Sequence, residues 1–147
     1  MGEYHLSSPI LFDDLELLWA SMQEDPLQPL FWSDFAPTTF DQWYRLMQDG
    51  VVQAWLLEYD RQRIGLVQVS GLRSGRDGQP LYGELDVYLR PGWRGRYGAQ
   101  AIRAVTNHFL SQGYQNLLAY IRRDHRASRY MAAHLGWFRV GLVPKYI

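Results

Sequence analysis

The sequence has no cysteine. Disulfide staples, thiolate metal sites and a cysteine nucleophile are excluded together. It has no surplus charge: Lys+Arg and Asp+Glu each number 15 among 147 residues. Nonspecific nucleic-acid binding rests on a basic excess, so a nucleic-acid partner is not expected and any positive patch must be local. No apolar run approaches the roughly 20 residues of a membrane helix. Residues 1–8 show no basic stretch followed by an apolar one, so no signal peptide is expected. The expectation is a cytoplasmic protein without a membrane partner. Repeats and low-complexity tracts are missing too. His5, His108, His125 and His134 are scattered without metal-ligand spacing, and no metal is expected.

What is present suits burial. The hydrophobic fraction is 47% and the aromatic fraction 15%. That composition argues against disorder, and the length suits one domain spanning residues 1–147. Tyr4–Leu6 reads as a short strand. Phe12, Leu15, Leu18 and Trp19 recur at helical spacing over 12–22, with Asp13 and Asp14 near the start. Residues 25–38 hold three prolines and read as an ordered loop. Phe40, Trp43, Tyr44 and Met47 give a second helix over 39–48, stopped by Asp49-Gly50.

Strand composition dominates 51–59, 63–70 and 81–89. A short turn at 60–62 and a Gly-rich loop at 71–80 would join them as antiparallel hairpins. A long helix follows to Gln112, with Gly113 as its stop. Leu117–Ile121 is a short strand, expected to pair parallel to the strand before the helix. Asp124 can cap a last helix running to Leu135, with Gly136 past its end. Residues 137–143 and 145–147 close the chain as extended structure. The predicted order is β-α-α-β-β-β-α-β-α-β, an α/β (α+β) mixed sheet with packed helices.

The segment Leu89-Arg90-Pro91-Gly92-Trp93-Arg94-Gly95-Arg96-Tyr97-Gly98-Ala99 carries the chemistry. A strand ends at proline, and three glycines and three arginines precede a helix. Amides at a helix N-terminus bind anions, and glycines let a pyrophosphate approach the backbone. The alternative is an Arg/Gly-rich surface turn. Along the preceding strand, side chains alternate. Leu85, Val87 and Leu89 face one side and pack; Tyr82, Glu84, Asp86 and Tyr88 face the other. That second face offers either a general base or a solvent-exposed strip.

The loop resembles motif A of the GCN5-related N-acetyltransferase (GNAT) superfamily, Gln/Arg-x-x-Gly-x-Gly/Ala after a strand and proline. Arg94 matches the first position and Ala99 the last, while Tyr97 stands where the middle glycine belongs and Gly98 is displaced by one. The segment from His125 to Trp137 resembles motif B, with Ser128, Leu135, Gly136 and Trp137 matching and His125 in place of asparagine. In motif B it is closest to the ribosomal-protein N-terminal acetyltransferase branch.

The resemblance implies a GNAT fold and an N-acetyltransferase using acetyl-CoA, or another acyl-CoA, as co-substrate. The acceptor would be an amine of a small molecule or protein that attacks the donor directly, with no enzyme nucleophile. It places the pyrophosphate on the amides of Arg94, Gly95, Arg96, Tyr97, Gly98 and Ala99, with His125 nearby. The pantetheine arm would pair with the strand from Val87 to Leu89. Asp86, at the position where many family members carry a Glu base, or Glu84 on the same face would act as base. Ser128 would act as acid, as the resemblance to ribosomal-protein N-terminal acetyltransferases with Ser at that position implies, while Ala132 replaces the family's usual tyrosine and Tyr130 lies about 200° around the helix from it. Trp32 and Phe35 would wall the acceptor pocket. The rival reading is an inactive fold used for binding or assembly, for instance in a phage particle, motivated by Tyr97, Ala132 and the many aromatics. Homo-oligomerisation or an assembly partner stays open at this stage.

Overall fold

The computed structural model describes residues 3–26, 37–74, 80–119 and 126–137. Five strands form one sheet in chain order: β1 (Tyr4–Ser7), β2 (Gln53–Tyr59), β3 (Gln62–Ser74), β4 (Pro80–Leu89) and β5 (Asn116–Leu118). β1 to β4 are antiparallel neighbours, and β5 joins β4 in parallel, as expected from the intervening helix. Four helices complete the described fold: α1 (Phe12–Glu24), α2 (Phe40–Gln48), α3 (Arg96–Ser111) and α4 (Arg126–His134). The expected closing strand falls outside the described residues.

Local signals account for three of the boundaries. The Thr39 side chain accepts from the Gln42 amide and caps α2. Asp60 and Arg61, both at positive φ, make the two-residue turn between β2 and β3. Gly113, at φ +99°, follows the end of α3. One expectation fails. The stretch 71–80 is not all loop, because β3 runs on to Ser74 and β4 already begins at Pro80. Register shifts after Ser70 absorb the irregularity while pairing resumes at Arg73↔Tyr82.

The sheet is covered on both faces. Across β2, β3 and β4, the row Leu56, Leu66 and Tyr88 packs with Leu15, Leu18 and Met22 of α1 and Trp43 of α2. The opposite face, with Leu57, Ile64, Val67, Val69, Leu85 and Leu89, packs under Ala101, Val105 and Phe109 of α3. Each such aliphatic side chain contributes about 1.5–3 kcal/mol on burial. Burial on both sides explains why β3 reads as a nearly unbroken apolar run at Ile64–Val69.

Candidate functional site

β4 delivers the chain into the glycine loop. Arg90 N–H still donates to the Ile64 carbonyl (2.8 Å), and Trp93 N–H then closes a turn onto the Arg90 carbonyl (3.0 Å). Gly92 and Gly95 have φ of +94° and +75°, which side-chain-bearing residues rarely adopt. Among the described residues, a Cβ built on either would meet nothing within 4 Å. Gly95 is the N-cap of α3 and supplies no side-chain cap, and the first turn holds no acidic residue. The first intrahelical bond is Ala99 N–H to the Gly95 carbonyl (3.0 Å). The positive end of the helix dipole therefore has no side-chain counter-charge from its own first turn.

The displaced glycine has a different task. A Cβ on Gly98 would lie 3.2 Å from Met131 Cε and 3.4 Å from Leu89 Cδ1. Gly98 thus lets α4 and the end of β4 close on the first turn of α3. Tyr97 is half-buried, with its ring against Trp93 and Tyr59 at centroid distances of 5.2 and 5.8 Å. Its carbonyl accepts from the Tyr4 hydroxyl (3.2 Å). The Tyr97 side chain is thereby built into an aromatic cluster with β1, β2 and the loop. Of Arg96 only the backbone is described.

Beside the loop the sheet changes. The β4–β5 ladder consists of Tyr82↔Asn116, Gly83↔Leu117 and Glu84↔Leu118. Among the described residues, no strand flanks β4 on that side from Leu85 to Leu89. Val87 and Leu89 turn their side chains into the α3-side core.

Glu84 and Asp86 lie on the other face, as the alternation requires. That face is not a solvent-exposed strip: α1 and α2 cover it, Asp86 is only 8% exposed and Tyr88 is buried. The wet-strip alternative fails because helices distant in sequence fold back over the sheet. Gln68, paired across from Asp86, accepts from the indole N–H of Trp43 (2.9 Å). Glu84 is half-buried and accepts from the Tyr82 hydroxyl (3.1 Å). Ser128 sits half-buried in the first turn of α4. Tyr130 is 76% exposed and stacks on His134, pointing away as its helical position predicts. Among the described residues no cluster of His, Asp and Glu is placed to hold a metal, and no helix is long and apolar enough to cross a membrane. Trp32, Phe35 and His125 lie outside the described residues.

One functional group escaped the sequence reading. The Asp25 carboxylate, buried at the end of α1, accepts from the Tyr88 hydroxyl (3.0 Å) and is ion-paired with the Arg94 guanidinium. Tyr88 Oη also shares a hydrogen bond with Ser21 Oγ (3.1 Å), and the Arg94 guanidinium lies 5.8 Å from the centre of the Tyr88 ring. Burial pushes the Tyr88 hydroxyl above its usual pKa; the Ser21 bond opposes this and Asp25 adds to it. A signal existed: an aspartate at a helix C-terminus with no basic residue in the last turn opposes the helix dipole and needs a cation from elsewhere.

Residues 8–137 match the family model described as an acetyltransferase (GNAT) domain. No curated protein matches the chain by sequence. Among solved structures, the spermidine N-acetyltransferase of Vibrio cholerae, in complex with CoA and spermine, is similar with TM-score 0.76 and 16% identity, over 98% of this chain and 86% of that one. A ribosomal-protein-alanine N-acetyltransferase of Brucella melitensis biovar Abortus 2308 gives 0.63 and 18%, over 100% and 99%. A transcriptional regulator of Bacillus halodurans C-125 gives 0.71 and 13%, over 99% of both chains. At such identities the likeness is one of fold.

Proposed function

The chain belongs to the GNAT acetyltransferase family, and from that premise we propose that it is an N-acyltransferase that moves an acyl group, acetyl first among candidates, from an acyl-CoA to an amine. One observation carries this reading. The glycine turn at the start of α3 stands directly after the stretch of β4 that, among the described residues, has no β5 partner beyond Glu84↔Leu118. An extended donor with a phosphate-bearing end needs those two features side by side. The amides of residues 94–98 hold the pyrophosphate, that of Ala99 being committed to the Gly95 carbonyl, and the β4 edge from Val87 to Leu89 holds the pantetheine arm through backbone hydrogen bonds. The residues present fit this donor: a Cβ on Gly92 or Gly95 would meet nothing within 4 Å among the described residues, and the Tyr97 ring packs with Trp93 and Tyr59. That packing supports the enzyme over the assembly reading.

The acyl-CoA supplies an activated thioester carbonyl. The chain's part is to orient it, polarise it with a backbone N–H of the β4 edge, and manage protons. Asp86 or Glu84 accepts the proton of the attacking amine, since a protonated amine has no lone pair to offer. Ser128 supplies a proton to the departing thiolate. Trp32 and Phe35 wall the acceptor pocket, and His125 lies at the donor rim. Two of the three named structural relatives are acetyltransferases of amine-bearing molecules, spermidine in one case and ribosomal-protein alanine in the other. A cationic amine would be drawn to the carboxylates of β4. Isothermal titration with acetyl-CoA tests the proposal: saturable binding is expected, and no binding at millimolar donor would overturn it.

A further inference from the structure

Three elements converge on one buried carboxylate. Asp25 ends α1, Tyr88 lies on β4 between Val87 and Leu89, and Arg94 lies in the loop between Gly92 and Gly95. The Asp25 side chain is 1% exposed. A charge so placed needs a partner, and the helix end it terminates adds to that need. Arg94 Nη1 and Nη2 approach the two carboxylate oxygens separately, the Nη1 contact at 3.5 Å. The guanidinium also lies by the Tyr88 ring. Planar, two-point recognition of this kind fixes orientation as well as charge.

We propose that Asp25 is a positioning residue for the donor loop: it holds Arg94, and through Arg94 the turn from Gly92 to Gly95, in the shape that aims the α3 amides outward. The inference rests on the donor reading above. A loop with two positive-φ glycines has wide conformational freedom, so something must restrict it if it is to meet a pyrophosphate ready-formed. The Asp25–Arg94 pair is that restraint. Through its bond to Tyr88 the same carboxylate also fixes the β4 segment on which the pantetheine arm would lie. The Arg94 side chain thus acts as an internal brace, leaving phosphate contact at this position to its backbone. Asp25 stands just before residues 27–36, where the acceptor walls Trp32 and Phe35 fall.

The test compares wild type with Asp25→Asn in the full chain, after circular dichroism has shown both folded. Two readouts are needed: donor binding by calorimetry, and hydrogen exchange of the peptide covering residues 90–98 without donor. Asp25→Asn should raise the acetyl-CoA Kd about tenfold, the scale of one charge-assisted hydrogen bond. Turnover at saturating donor should stay within about threefold, since only donor-loop order is lost. Loop exchange should quicken while the β2–β3 hairpin stays unchanged. A folded variant with unaltered donor Kd and unaltered loop exchange would sink the inference. Should Asp25→Asn not fold, Tyr88→Phe decides instead. It keeps the ion pair and removes one bond to Asp25, with faster loop exchange and an approximately threefold weaker donor expected. No change in either readout is then the overturning result. Wild type that binds no acyl-CoA overturns the functional reading itself, and the hydrogen exchange alone then judges the brace.

Discussion

Gly65 of β3 lies so close beneath the carbonyl of Tyr88 on β4 that a Cβ on residue 65 would stand 1.9 Å from that oxygen. The two strands pair here as Gly65↔Leu89, at the end of the ladder that leads into the glycine loop. The obstacle is backbone, which cannot swing aside as a side chain can. Gly65→Ala should therefore destabilise the protein by about 3 kcal/mol or more, above the usual cost of an added methyl in a packed core. Urea unfolding checks this; a loss under about 1 kcal/mol would mean that β3 can retreat from β4 without harm.

The β4 carboxylates should separate chemistry from donor binding. Asp86→Asn or Glu84→Gln, whichever is the base, should lower kcat by about 10²–10⁴-fold while the acetyl-CoA Kd stays unchanged. Steady-state kinetics beside calorimetry measures both. Full turnover in each single variant would remove the base assignment from β4.

Tyr97 should matter to folding more than to the donor. Tyr97→Ala removes a half-buried ring from the cluster with Trp93 and Tyr59 and should cost about 1–3 kcal/mol. The backbone amide remains in place, so the donor Kd should change by less than about threefold. A large gain in donor affinity would show instead that the ring obstructs the donor.

Tyr88 predicts an alkaline limit. Its folded pKa lies above the ordinary 10.0, chiefly through burial. Below pH 10 the hydroxyl is protonated in folded and unfolded chains alike, and its contribution is fully present. As pH rises further, the unfolded chain releases this proton first, and stability falls until the folded pKa is passed. Wild type should therefore lose stability above pH 10 more steeply than Tyr88→Phe. Tyr114, also raised by burial, leaves a residual slope in both. Equal slopes would refute the assignment.

Much of this was legible in the chain. The loop from Leu89 to Ala99 announced itself because its signals are local: a proline ending a strand, then three glycines and three arginines ahead of a helix. The alternation of β4 was legible for the same reason, since pleating needs only neighbours. The helix over Phe40–Gln48 showed its apolar face, with Trp43 at its buried centre. Less was legible at 71–80, where glycines and a proline suggested a long loop. There the ladder overrode local preference, with Pro80 placed as the first residue of its strand.

Among the described residues, sequence by itself determined the order of the elements and the place of the glycine turn, because periodicity, caps and turn residues act within a few positions of one another. The tertiary structure decided the rest. Whether Asp86 meets solvent depends on α1 and α2 folding over β4, and the displaced Gly98 has its use only when Met131 and Leu89 arrive beside it. The pairing of Asp25 with Arg94 joins residues 69 apart. No local pattern encodes such a contact, because a buried charge is matched by whichever cation the packed chain brings to it.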